Sequence, residues 1–181
     1  MSQFNQASRL NMQALALEGV PLTGTTLLQD MERLAHEVQV VQPDSCVNWQ
    51  ASAELRPGSG AEDDVWLHLQ AKTSVALICQ RCMATVAAPL EVDQWYRFVA
   101  TEEIAMAEDD ESEEDLLVME PQFDLLAVLE DELLMALPLV PMHDECPVPP
   151  VLRAGDEELS AETGEKPNPF AVLSGLKKKN E

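Results

Sequence analysis

The sequence predicts an α+β fold in which an antiparallel sheet is packed with two main helices. Two observations carry this prediction. Most of residues 47–98 alternate between apolar and polar side chains, as strands with one solvated face do. Residues 124–137 repeat leucine at helical spacing and stop at a proline. At 181 residues with 46% hydrophobic content, the chain is long enough for one domain with a core and short for two.

The N-terminal part is predicted to supply a short strand and the first main helix. Residues 15–20 predict a strand that ends near Pro21. A helix is predicted at residues 26–38, because Thr26 and Gln29 match a capping box, whose side chains bond to free N–H groups of the first turn. The apolar positions that would form its buried stripe are Leu27, Met31, Leu34 and Val38.

Residues 38–100 are predicted to form the rest of the antiparallel sheet. Alternation marks strands at 47–55, 65–79 and 90–98, and a Pro-Gly-Ser-Gly loop separates the first two. The long stretch at 65–79 is either two strands or one bent strand. Cys82 therefore falls in a hairpin connection between long strands. A tight turn of this kind can point two thiolates in the same direction.

The segment that follows the sheet is strongly acidic. Residues 102–115 carry nine carboxylates and no basic side chain, so we expect a mobile loop over 101–120. The loop is either a solvated linker or an attractive surface for a basic partner. The second main helix then begins at a cap on Asp124 and ends at Pro138.

The domain organisation predicted from these elements is a single α+β domain over residues 1–150 and a flexible tail over 151–181. Within the tail, Asn168 before Pro169 fits an N-cap followed by proline at the first helical position. A short helix is therefore predicted at residues 169–178.

Charge and composition exclude several function classes. The net charge of −22 repels phosphate backbones and attracts basic proteins. No apolar run reaches the roughly 18 to 20 residues that cross a bilayer. Four cysteines in a medium-sized chain indicate a reducing compartment, so we expect a cytoplasmic protein. A phosphate-binding glycine loop, a nucleophile elbow and a His-Glu-x-x-His pair are all missing from the sequence, and no enzymatic activity is predicted.

Two short matches to metal-ligand spacing stand out. Cys79 and Cys82 form a Cys-x-x-Cys pair, and His143 and Cys146 form a His-x-x-Cys pair. Together they are the donor set of a tetrahedral Cys3His zinc site, so one structural zinc is a candidate cofactor. The alternatives are free thiols or a redox-active pair. Cys46 stands apart and is expected to be buried.

Three segments resemble the bacterial YceD family of large ribosomal RNA subunit accumulation proteins. They are the Cys79–Cys82 motif, the helix and turn over 124–143, and the tail segment over 166–173. The resemblance runs in order and spacing from about Leu17 to Lys178. It implies a cytosolic, non-enzymatic factor needed for normal levels of 23S ribosomal RNA. Members are often encoded beside a small basic, zinc-binding protein of the large ribosomal subunit.

Together, charge and resemblance predict a ribosome-biogenesis factor that binds a basic ribosomal protein or a pre-50S particle. The candidate partner-binding residues are Glu130, Asp131, Glu132, Pro167, Asn168, Pro169, Phe170, Leu173 and Leu176. Direct RNA contact through the lysines at 177–179 would be weak, since three lysines offer few phosphate contacts. The alternative function is a zinc-binding or thiol redox-responsive regulatory protein.

Overall fold

The computed structural model describes residues 7–58 and 63–147. Within them a five-stranded mixed sheet is accompanied by four α-helices, which confirms the α+β prediction. The strands are β1 (Leu22–Leu27), β2 (Cys46–Arg56), β3 (Asp64–Ile78), β4 (Thr85–Val99) and β5 (Asp115–Val118). The helices are α1 (Met12–Glu18), α2 (Glu32–Glu37), α3 (Glu102–Glu108) and α4 (Leu125–Met135).

The sheet follows chain order from β1 to β5. The first four strands are antiparallel neighbours, whereas β5 runs parallel to β4. β3 and β4 contain 15 residues each and pair from Trp66–Arg97 to Ile78–Thr85. At about 3.3 Å per residue this hairpin is roughly 45 Å long, so its two ends are well separated.

The core lies on one face of the sheet, as the alternating pattern predicts. Leu67 and Leu69 of β3 and Leu90 of β4 are almost completely buried there, and α1 and α4 contribute Met12 and Leu129. Fully burying one such side chain contributes about 2 kcal/mol of transfer free energy. The opposite face carries polar and charged side chains at the alternate positions.

The helix predicted at 124–137 is confirmed as α4. The Asp124 carboxylate accepts hydrogen bonds from the backbone N–H groups of Leu126 and Ala127, at 3.0 and 3.1 Å, and so caps the first turn. Its buried residues are Leu125, Leu126, Leu129 and Leu133. A local cap and a local apolar stripe determine this element, so the sequence was sufficient to predict it.

The strand predicted at 15–20 is wrong, because residues 15–18 belong to helix α1 and Gly19 caps its end. The Asn11 side chain accepts a hydrogen bond from the backbone N–H of Ala14 at 2.9 Å and begins the helix. Gly19 ends it in the left-handed conformation, with φ of 62°. The buried residues Met12, Leu15 and Ala16 follow helical spacing. This spacing starts at Met12, before the segment 15–20 for which a strand is predicted.

The helix predicted at 26–38 begins too early. Thr26 lies in β1, where its hydroxyl accepts a hydrogen bond from the buried indole N–H of Trp49 at 3.0 Å. This tertiary bond takes the hydroxyl that the capping box would use. Gly24 is required beside the same ring, since a Cβ there would overlap the indole. Within the predicted range, Leu28–Asp30 form a 3-10 turn and only the six residues of α2 are α-helical. Met31, Leu34 and Val38 are buried as predicted, whereas Leu27 is exposed.

The acidic loop predicted over 101–120 is instead ordered into α3, a 3-10 turn at Asp109–Glu111 and β5. Thr101 caps α3 by accepting a hydrogen bond from the N–H of Ile104 at 3.4 Å. The like charges do not keep the segment apart, because Arg97 of β4 pairs with two of its carboxylates.

No helix of the described residues is long and apolar enough to cross a membrane. The predicted tail at 151–181, its helix at 169–178 and the candidate partner residues between Pro167 and Leu176 lie outside the described residues.

Candidate metal centre and acidic cleft

The β3–β4 connection forms a tight turn that carries the first cysteine pair. Cys79 follows the last residue of β3 and is fully buried, and Cys82 is half-buried. The N–H of Cys79 donates to the carbonyl of Ala84, and the N–H of Met83 donates to the carbonyl of Cys79, both at 2.9 Å. Met83 adopts the left-handed conformation, with φ of 61°, which closes the turn. We call residues 79–84 the knuckle.

The second pair lies on the irregular segment that follows α4, residues 138–147, which we call the arm. The N–H of Gln80 in the knuckle donates to the carbonyl of Pro141 in the arm at 2.9 Å. This backbone bond holds the two segments side by side. The His-x-x-Cys pair therefore faces the Cys-x-x-Cys pair.

The structure brings together the four residues that the sequence singled out. The Sγ atoms of Cys79 and Cys146 are 4.0 Å apart, and the Sγ of Cys82 is 3.5 Å from Nδ1 of His143. All four donor atoms lie within 4.8 Å of one another. Metal–sulfur bonds of about 2.3 Å in a tetrahedral site require sulfur atoms roughly 3.8 Å apart, so the spacing fits. This Cys3His cluster could hold a metal ion.

A backbone contact sets the orientation of the histidine ring. Nε2 of His143 lies 3.0 Å from the carbonyl oxygen of Thr85. A carbonyl only accepts, so Nε2 must carry the proton, and Nδ1 of the neutral ring has a free lone pair. That lone pair is on the nitrogen nearest to Cys82. Metal-binding histidines in proteins are commonly oriented in this way by their second nitrogen.

The surroundings of the cluster favour a thiolate at Cys79. Burial raises its pKa, but hydrogen bonds from the backbone of His143, Cys82 and Arg81 outweigh burial and bring the pKa to about 5. The pKa of Cys82 is raised: a hydrogen bond from Ala84 lowers it, whereas burial and the neighbouring cysteines raise it more strongly. In a cluster of thiols without a cation, one thiolate makes ionisation of its neighbours less favourable, so the pKa values move apart.

Sequence reasoning missed the role of Arg81. Its Nε donates to Sγ of Cys146 at 2.9 Å, and one terminal nitrogen donates to the carbonyls of His143 at 2.5 Å and Asp144 at 3.1 Å. The hydrogen bond to Cys146 is the main reason that the pKa of Arg81 is raised. The sequence feature that could have indicated this role is the position of Arg81 between Cys79 and Cys82. The Thr85 contact, made by backbone, left no signal in the sequence.

The fourth cysteine lies apart from the cluster, as predicted. Cys46 begins β2 and is half-buried rather than fully buried. Its carbonyl accepts a hydrogen bond from the hydroxyl of Thr73 at 2.9 Å. It offers an internal control for experiments on the other three thiols.

Of the three acidic residues on α4 that were predicted to meet a partner, Glu130 and Asp131 are engaged within the molecule. The Glu130 carboxylate is 13% exposed and accepts hydrogen bonds from the backbone N–H groups of Arg33 and Leu34, at 2.8 and 3.1 Å. Asp131 pairs with the same Arg33 guanidinium. Burial and the nearby Glu132 carboxylate raise the pKa of Tyr96. Glu130 and Asp131 tie α4 to α2, whereas the buried Tyr96 hydroxyl has no hydrogen-bond partner within the described residues. The contact of the three acidic residues with a partner stays a prediction.

A second polar site lies at the other end of the β3–β4 hairpin. Arg97 is 14% exposed and pairs with Glu114 at 2.7 Å and Glu108 at 2.9 Å. Asp64 approaches the same guanidinium at 3.9 Å. Around them is a cleft of about 660 Å³, which we call the acidic cleft. Its lining residues are Pro57, Gly58, Asp64, Trp66, Arg97, Glu108, Glu111, Ser112, Glu113 and Glu114.

The acidic cleft has more carboxylates than Arg97 can neutralise. Glu111 and Glu113 are exposed and form no ion pair within the described residues. The buried indole N–H of Trp66, which lines the cleft, has no hydrogen-bond partner within the described residues. The cleft therefore keeps negative charge available to solvent, beside an aromatic wall.

Comparison with known proteins identifies relatives of this chain. The family model described as "Large ribosomal RNA subunit accumulation protein YceD" matches residues 67–177. A protein of the same name from Haemophilus influenzae is 40% identical over 118 residues, which cover 58% of this chain and 61% of the relative. The match therefore spans less than two thirds of that relative's length. No solved structure matches the chain.

Proposed function

Because the chain belongs to the YceD family of large ribosomal RNA subunit accumulation proteins, we propose that it supports the accumulation of 23S ribosomal RNA. The observation that carries the proposal is the family match over residues 67–177, which includes the whole Cys3His cluster. The protein acts without catalysing a reaction, through binding. A non-enzymatic role agrees with a cluster in which four protein ligands leave no open coordination position.

The proposed partner is a basic ribosomal protein or a pre-50S particle that presents one. A chain of net charge −22 repels bare RNA but attracts Lys- and Arg-rich surfaces over long distances. Such a partner needs its own positive charge neutralised until it joins the RNA. Holding it would promote assembly and so protect the ribosomal RNA.

The acidic segment supports this partner class. Its carboxylates stand on an ordered scaffold of α3 and β5, so partner binding would not first have to order a loop. Arg97 already shows that a guanidinium fits among them. Glu111 and Glu113 remain for an incoming cation.

Two measurements test the proposal. In a bacterial strain that lacks its own YceD protein, expression of this chain should restore the ratio of 23S to 16S ribosomal RNA. Capture of the tagged protein at low salt should recover large-subunit ribosomal proteins, and they should be released as ionic strength rises. Failure to restore the RNA ratio would refute the family role. Restoration without any recovered ribosomal protein would refute only the partner.

We further propose that the Cys3His cluster binds one structural zinc ion. The support is the donor spacing, the fixed Nδ1 lone pair of His143 and a low-pKa thiol at Cys79. When bound, zinc links the knuckle to the arm through four protein ligands. Metal analysis of protein purified without chelator should give one zinc per chain. Folded, metal-free protein that instead forms a disulfide between Cys79 and Cys146 in air would favour the thiol redox alternative.

A further inference from the structure

Arg81 connects the two halves of the Cys3His cluster from the side of the knuckle. The chain places it between Cys79 and Cys82, yet its guanidinium bonds to the opposite half. Three donor contacts reach the thiol of Cys146 and the carbonyls of His143 and Asp144, at 2.9, 2.5 and 3.1 Å. One side chain therefore fixes the position of the second ligand pair.

The net charge of the zinc-bound cluster gives Arg81 a second role. Three thiolates, one neutral imidazole and a divalent ion leave a net charge of −1 in a half-buried position. Such a charge is unfavourable away from water unless a cation pairs with it. Arg81 is always protonated. Among the Arg and Lys side chains of the described residues, Arg81 alone donates a hydrogen bond to a thiol of the cluster.

We propose that Arg81 is a positioning residue of the metal centre, which holds Cys146 and the arm carbonyls in place and balances the charge of the three thiolates. This inference rests on the zinc proposal. Two effects are combined in one side chain. The fork of the guanidinium fixes three acceptors at once, whereas an ammonium group would supply only the charge.

The two effects can be separated by substitution. Arg81→Lys keeps the charge and loses the fork, whereas Arg81→Ala loses both. Removing a residue that orients metal ligands weakens affinity by about 10- to 100-fold. We therefore expect zinc affinity to fall by roughly 100-fold in Arg81→Ala and by roughly tenfold in Arg81→Lys.

The control is Arg56→Ala. Arg56 is another arginine of the sheet, but it lies at the end of β2, where it pairs with Glu54 and stacks on Trp66 and Trp95 near the far end of the hairpin. Its removal should leave zinc affinity unchanged. None of these substitutions removes a partner of the backbone bond from Gln80 to Pro141, so we expect the arm to stay beside the knuckle.

The experiment is competition for zinc between each full-length protein and a chromogenic chelator. Cobalt-loaded protein provides a second readout, since a tetrahedral site with three thiolates has characteristic charge-transfer bands. We expect saturating cobalt to give these bands in all variants, with Arg81→Ala requiring far more metal to reach them.

Equal affinity of Arg81→Ala and wild type would overturn the inference. Arg81→Lys at wild-type affinity would overturn the part assigned to the fork. A wild-type chain without metal affinity would refute the zinc proposal itself.

Discussion

The two ends of the β3–β4 hairpin each centre on one arginine, but they are built in opposite ways. At the knuckle, Arg81 joins a cluster whose four donors face one another within 4.8 Å. At the acidic cleft, Arg97 pairs with carboxylates that line an open cavity of about 660 Å³. The first end is closed around its donors, whereas the second leaves charge facing solvent.

We propose that this difference separates stability from recognition. A closed donor set that joins two distant segments of chain is suited to hold a fold together. Unpaired carboxylates at the rim of a cleft add little stability but strongly affect how a charged partner arrives. We therefore assign stability to the knuckle end and partner recognition to the cleft end.

The largest expected effect is the loss of a cluster thiol. Cys79→Ser should remove the zinc-dependent part of stability, about 4 kcal/mol or more when zinc exceeds its dissociation constant a thousandfold. Urea unfolding in the presence of zinc measures it. Cys46→Ser, which changes a half-buried thiol outside the cluster, should stay close to wild type. Equal loss in both variants would contradict a special role for the cluster.

The next effect concerns the anchor of the acidic cleft. Arg97→Met leaves Glu108 and Glu114 without their cation in a half-exposed setting, and should lower the free energy of unfolding by about 2 kcal/mol. Zinc content should not change. Arg56→Met, which breaks an exposed ion pair and its stacking on tryptophan, should lower stability by about 1 kcal/mol or less. If the two variants unfold alike, the ion pairs at Arg97 contribute no more to stability than the exposed pair at Arg56.

A smaller effect should appear in binding alone. The double variant Glu111→Gln with Glu113→Gln removes two carboxylates that form no ion pair, so its stability should match wild type. Affinity for the basic partner should fall roughly fivefold at low salt, as measured by titration calorimetry.

The matched control for that variant is Glu18→Gln with Glu37→Gln. It removes the same total charge from exposed positions on α1 and α2. If both double variants bind the partner equally weakly, then net charge acts without a defined surface, and the assignment of recognition to the acidic cleft is wrong.

The smallest effect lies on the polar sheet face between the two ends. Hydrogen bonds from His68 and Gln70 lower the pKa of Asp93 below its ordinary value of 3.8. A lowered folded-state pKa contributes stability that is present above pH 3.8 and is lost as the pH falls through the folded value. The stability difference between wild type and Asp93→Asn should therefore shrink below that pH. A difference that stays constant between about pH 6 and about pH 3 would show that the carboxylate charge plays no part.

Sequence reasoning succeeded where structure depends on neighbours along the chain. The cap at Asp124 and the leucine stripe determine α4, and alternation determines β2, β3 and β4. It failed where a distant contact takes over a local signal. The Thr26 hydroxyl caps nothing because Trp49 uses it, and the acidic segment is ordered by Arg97 of another element.

The candidate site divides in the same manner. Residue type and spacing pointed to Cys79, Cys82, His143 and Cys146, because few other patterns in the chain offer soft donors in pairs. That the pairs meet could not be derived, since the arm has no periodicity. Its position depends on the Gln80–Pro141 backbone bond and on Arg81, which appear only in three dimensions.

X-ray absorption at the zinc edge of the purified wild-type protein would show directly whether the Cys3His cluster is a closed zinc site. We expect one zinc bound by three sulfur atoms at about 2.3 Å and one nitrogen at about 2.0 Å, with no oxygen ligand. This result would identify the knuckle end as a closed structural centre. An oxygen ligand in place of one protein donor, or a folded protein with no zinc, would contradict it.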